Sequence, residues 1–187
     1  MSGRRLLARL WRGFPARFAA DRSGTAAVET VLIMPLAVVL LTVAMEAGHF
    51  LYTEHQVVKG VRDAARFAAR LPLSTWGCTA AAAETDMPAS TARTQVANMA
   101  RYGLIAPGSG DELRVWTWDD NAAELKIRYA CVSTNGGSSG LFLNSGTVAP
   151  LITITGKPNY YSLFGSMAFF PSTMVLYAKE QAMGAGV

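Results

Sequence analysis

From Thr25 to Tyr52 the chain is almost wholly apolar, and between Glu29 and Glu46 it carries no charged residue. The segment Thr30 to Met45 with its flanks reaches the roughly 20 residues that a helix needs to cross about 30 Å of hydrocarbon. A stretch of this kind is long enough to span a bilayer. The remaining chain, about 130 residues, is enough for one small domain with its own core. A span near the N-terminus followed by one such domain is therefore the expected organisation.

The flank ahead of the run sets its direction. Arg4, Arg5, Arg9, Arg12, Arg17 and Arg22 are opposed there only by Asp21, so the positive-inside rule keeps the N-terminus in the cytoplasm and sends the C-terminal part across. A cleavable secretory signal would have a shorter apolar core and a small-x-small site behind it, and Met45-Glu46-Ala47 fits that poorly. The same arginines explain the charge balance. Up to residue 24 the chain carries +5, and the remainder, with eleven basic and twelve acidic residues, carries −1. No basic face is left on the exported part, which argues against a nucleic-acid partner.

The helix is expected to outlast the membrane. Between Glu54 and Leu71 the apolar positions Val57, Val61, Ala64, Ala65 and Ala68 recur every three or four residues, with Lys59, Arg62, Asp63, Arg66 and Arg70 on the other side. If continuous from Ala26 to Arg70, this rod would be roughly 65 Å long. Pro35 removes the hydrogen bond to the carbonyl of Val31 and predicts a kink there; Pro72 ends the rod. The chain thus divides into a basic cytoplasmic leader (1–24), a transmembrane and amphipathic helix (25–71) and an exported, periplasmic domain (72–187).

That domain reads as α+β. Cys78 and Cys131 are both on the exported side, where an oxidising compartment favours a disulfide over two free thiols, and without neighbouring histidines they make a poor metal site. The alanine-rich stretch Thr79 to Glu84 has high helix propensity but marginal length. A clearer helix follows, capped by Ser90 or Thr91, burying Ala92, Val96, Met99 and Ala100, and ending at Gly103. Alternation of polar and apolar residues then predicts a hairpin of Glu112–Trp118 and Glu124–Cys131 around Asp119-Asp120-Asn121, with Trp116 and Trp118 on one face. A loop, Ser133 to Gly146, leads to a third strand, Val148 to Thr155. Thr173 to Ala178 or slightly beyond makes the fourth, so a four-stranded, mainly antiparallel sheet is expected. Tyr160 to Phe170 is strongly apolar and fits either a short helix or a loop packed on the rod.

Nothing in the chain supports an enzyme, a catalytic residue or a cofactor. Gly136-Gly137-Ser138-Ser139-Gly140 matches the G-x-S-x-G string, yet His49 and His55 both precede it, whereas the nucleophile elbow needs its histidine afterwards. Glu46 and His49 lie one helical turn apart, but a metal site in a bundle needs several facing helices to complete its shell. Polar residues where a helix leaves the membrane are ordinary, and no metal is expected.

Glu29 is different. A carboxylate within a membrane segment is costly unless paired or hydrated, and this one is the fifth residue after Gly24 in Arg22-Ser23-Gly24-Thr25-Ala26-Ala27-Val28-Glu29, which is the type IV prepilin pattern. Together with Phe18 to Asp21 before it, and with Pro35, Glu46 and Lys59-Gly60-Val61-Arg62-Asp63-Ala64-Ala65-Arg66 after it, this stretch resembles the TadE-like family of minor pilins or pseudopilins of tight-adherence pili. The similarity spans about residues 18 to 70; beyond it only the cysteine pair, the late strands and Ala178-Lys179-Glu180-Gln181 correspond in outline. The family usually carries an aromatic residue where this chain has Thr30.

The resemblance implies a bacterial inner-membrane protein cut after Gly24 by a prepilin peptidase and assembled through its helix with other pilin or pseudopilin subunits on a pilus assembly platform. Cleavage would leave a cationic amine on Thr25, the cheapest partner for Glu29, its own or a neighbour's. The alternative is an uncleaved single-pass inner-membrane protein whose periplasmic domain binds a partner or scaffolds an envelope complex.

Overall fold

The computed structural model describes residues 23–118, 124–134, 148–165 and 174–185. The leader up to residue 22, the Asp119-Asp120-Asn121 turn, the G-x-S-x-G string, most of the glycine- and serine-rich loop, Thr173 and residues 166–170 of the apolar segment lie outside them. The architecture is α+β: one long N-terminal apolar helix, a short helix and a four-stranded antiparallel sheet.

Helix α1 runs Ser23–Ala69 with Pro35 inside it. The chain divides at Met45 into two compact units. In the first, the side chains from Val28 to Met45 are largely exposed, with Leu32 73% and Leu41 64% accessible. Two of its hydroxyls are satisfied within the helix: Thr30 Oγ1 donates to the Ala26 carbonyl at 2.7 Å and Thr42 Oγ1 to that of Val38 at 2.8 Å, the local bonding by which threonine avoids an open polar group in a helix. The stretch is long and apolar enough to cross a membrane.

In the second unit α1 supplies the core. Val57, Val61, Ala64, Ala65 and Ala68 are all buried, as their spacing requires. Pro72 and a 3-10 turn, Leu73–Thr75, follow the helix end. Gly77 takes a left-handed φ of 59° ahead of Cys78, and Cys78 is joined to Cys131. Helix α2, Thr91–Arg101, is capped by the Ser90 side chain, which accepts from the Arg93 N–H. It ends with Gly103 at φ 78°, whose N–H bonds the Met99 carbonyl, an αL termination that a glycine adopts without a Cβ penalty.

The sheet differs from expectation in two members. Strands β1 (Ala82–Asp86), β2 (Leu125–Ser133), β3 (Val148–Gly156) and β6 (Ala178–Met183) lie in the order β1-β2-β3-β6, all antiparallel. β4 (Asn159–Tyr160) and β5 (Met174–Val175) form a separate small ladder. The segment expected as the first hairpin strand, Glu112–Trp118, is a series of bends and turns instead. Arg114 N–H bonds the Arg101 carbonyl, Trp118 N–H bonds Val115, and the Arg114 side chain reaches Asp63 of α1 at 2.8 Å. The backbone groups that a ladder would use are thereby diverted. Trp116 is consequently 64% exposed and Trp118 fully buried, so the two do not share a face.

The alanine-rich stretch takes the vacant place. Ala82 pairs with Cys131, the disulfide partner of Cys78, and Arg128 reaches both Glu84 and Asp86 across the ladder. These cross-strand links outweigh a helix propensity worth a few tenths of a kcal/mol per residue. The expected fourth strand is also divided: Leu176 N–H turns to the Pro158 carbonyl and its side chain enters the core, after which β6 resumes beside β3.

Trp118 sits between the elements. A Cβ at Gly60 would lie 2.3 Å from the Ala100 carbonyl and 3.0 Å from Trp118, and one at Gly156 would lie 2.9 Å from both Trp118 and Val61. The two glycines let α1, α2 and β3 close around one indole.

Candidate functional site

The residues marked by the sequence for processing lie in the first turns of α1. Gly24 is its second residue, and a side chain placed there would meet nothing within 4 Å among the described residues. Glycine costs about 1 kcal/mol in a helix relative to alanine, so Gly24 contributes little to holding this part of α1 helical. Glu29 is exposed. It follows Thr25 by four residues, one turn on the same face, and helical side chains lean toward the N-terminus. A group at Thr25 and the Glu29 carboxylate are therefore neighbours within this single chain.

A second carboxylate, at the other end of the apolar stretch, is built into the folded domain. Glu46, the first residue beyond Met45, is only 4% exposed. Its Oε1 accepts from the Tyr160 hydroxyl at 2.7 Å and its Oε2 from the Phe164 N–H at 3.2 Å. The buried Ser162 hydroxyl stands by without a hydrogen bond of good geometry. Burial pushes the Glu46 carboxyl up, but Ser162, Tyr160 and the backbone of Phe164 and Leu163 favour the charged form and hold it below the usual carboxylate value of 4.5. Burial and the bond to this carboxylate push the Tyr160 phenol well above its usual 10.0.

Two hydrogen bonds in series link three groups here. Tyr160 gives its hydrogen to Glu46, so its oxygen can only accept from His49 Nδ1, 3.1 Å away, and the imidazole carries its hydrogen on that nitrogen. The Tyr160 ring packs edge-on against Phe50, with centroids 5.2 Å apart, and beside His49 at 5.6 Å. Glu46 and His49 are thus brought together around a tyrosine. Among the described residues no group of three or more His, Cys, Asp or Glu is placed to hold a metal.

Sequence reasoning placed Glu46 on the helix but missed what it bonds. The only signals were a second acid closing the apolar run and a Tyr160-Tyr161 pair in a segment without period.

Residues 24–66 match the family model for TadE-like protein, which lies within the stretch on which the resemblance rests. No curated protein and no solved structure matches the chain.

Proposed function

We propose that this chain is a minor pilin or pseudopilin of a tight-adherence type pilus. It is made as an inner-membrane precursor with its N-terminus in the cytoplasm and its domain in the periplasm. A prepilin peptidase cuts it between Gly24 and Thr25, and it assembles through α1 with other pilin or pseudopilin subunits on the assembly platform. The role is structural rather than catalytic.

The observation that carries the reading is the stretch from Gly24 on: a glycine with open space around it among the described residues, an acid one turn beyond the residue that would become the N-terminus, and exposed apolar side chains behind it, all within the TadE-like match. After cleavage Thr25 would bear a cationic amine at the helix start. Glu29 can pair with that amine within its own chain or with a neighbour's, and only the second choice fixes the stagger between subunits. In a membrane either pair is favoured over a lone carboxylate. The exposed apolar side chains from Val28 to Met45 would then pack helix against helix.

Mass measurement of the protein extracted from membranes of cells with active peptidase tests this directly. Loss of residues 1–24 supports the reading. An intact N-terminus at steady state overturns it in favour of an uncleaved single-pass protein with a periplasmic binding or scaffolding domain.

A further inference from the structure

Trp116 and Tyr161 are large aromatic residues that lie outside the core. They are 64% and 55% exposed, yet they hold each other edge-to-face with centroids 4.9 Å apart. They border a depression of about 180 Å³ whose opposite wall is α1 itself, through His49 and Tyr52. Leu51 and Tyr52, each 63% exposed, and Leu163, 49% exposed, extend the apolar surface.

The helix gives this patch a depth. Tyr52 follows Met45, the end of the apolar stretch, by seven residues in α1, a rise of about 10 Å. The polar layer on each side of the hydrocarbon is roughly 5–8 Å thick, so with the hydrocarbon ending at Met45 the helix carries Leu51 and Tyr52 just past its outer edge, while Tyr161 and Leu163, next in sequence to the Tyr160 and Phe164 that bond Glu46, lie within it. Tryptophan and tyrosine favour this depth because the ring is apolar and its N–H or O–H is wet.

We propose that the Trp116–Tyr161 pair, with Tyr52 and Leu163, docks the domain onto the phospholipid headgroup layer on the side to which α1 emerges, holding it against the membrane before assembly. This rests on the single-pass reading of α1.

The test uses the full chain reconstituted in phosphatidylcholine–phosphatidylglycerol vesicles whose acyl chains carry bromine near the headgroup end. Trp76 and Trp118 are buried, and since they and Trp11 of the leader are common to both proteins, subtracting the emission of Trp116→Phe isolates the Trp116 signal. The expected result is that bromine removes about half or more of that signal, as for an indole held at the interface, and that Tyr161→Ala lowers the effect. Trp116 emission untouched by bromine and open to acrylamide overturns the proposal. So does emission shielded from both, which would mean that a second copy or another protein covers the patch. Leu40→Trp in the Trp116→Phe background separates the two levels of the argument: if bromine dims it while sparing Trp116, only the docking fails; if bromine spares it too, the single-pass reading fails with it.

Discussion

The Tyr160 hydroxyl donates a 2.7 Å hydrogen bond to the Glu46 carboxylate across 114 positions of sequence. Both side chains are buried, so neither has water to fall back on. Tyr160→Phe should therefore destabilise the domain by about 1–3 kcal/mol, the cost of stranding a buried acceptor. Chemical unfolding of the detergent-solubilised chain measures it, and a change within error of zero would show that the bond contributes nothing.

The same pair makes stability depend on pH at both extremes. Because Glu46 is held below its usual 4.5, the native state binds fewer protons than the unfolded state in the acid range. Its contribution is complete above about 4.5 and fades as pH falls through the native value. Tyr160, raised above 10.0, keeps its proton when the unfolded chain has lost it, so stability falls as pH rises past 10. In unfolding midpoints followed against pH, Glu46→Gln should flatten the acid limb and Tyr160→Phe the alkaline one.

Reduction should weaken the domain substantially. Cys78 and Cys131 close a loop with a separation of 53 residues, and a cross-link of that length stabilises by about 4 kcal/mol on the chain-entropy argument. Unfolding with and without a phosphine reductant checks this. A shift no larger than that of a Cys78→Ala, Cys131→Ala control under the same reductant would refute it.

Two glycines of α1 should respond in opposite directions. Gly60→Ala drives a methyl into the Ala100 carbonyl, a backbone atom 2.3 Å from the new carbon, and should cost about 1–3 kcal/mol as overpacking does. Gly48→Ala meets nothing within 4 Å among the described residues and should gain about 0.5–1 kcal/mol from helix propensity. Thermal or chemical unfolding of the two variants side by side decides it.

Processing and assembly should separate genetically. Gly24→Asp should block cleavage, leaving the precursor mass. Glu29→Ala should be cut yet enter pili less than the parent, since only the pairing is lost. If Glu29→Ala supports piliation as well as the parent does, the acid is merely tolerated.

Periodicity carried the parts of the fold that obey it. The buried stripe of α1, the Ser90 cap and Gly103 terminus of α2, and β2 and β3 all follow local rules, and the structure places each where those rules put it. The failures share one cause. Glu112–Trp118 alternates like a strand, but Arg114 is committed to Asp63 and Arg101, and Ala82–Asp86 is poor in strand formers yet is drawn into the sheet by the disulfide and by Arg128. Long-range partners decided both, and no window of sequence contains them. The Glu46 site was hidden for the same reason, since its donors come from a segment with no period to read.

The burial of α1 in the domain also determines how the molecule would bear force. Val57, Val61, Ala64, Ala65 and Ala68 occupy about three turns of one helix face, and the Ala69 carbonyl is bonded to Ala185 beyond the last strand. A pull along the helix axis moves all of these side chains in step, so the load is shared across the whole packed face rather than peeled from one contact to the next. The domain would therefore yield by sliding, a mode in which many weak contacts must fail at once.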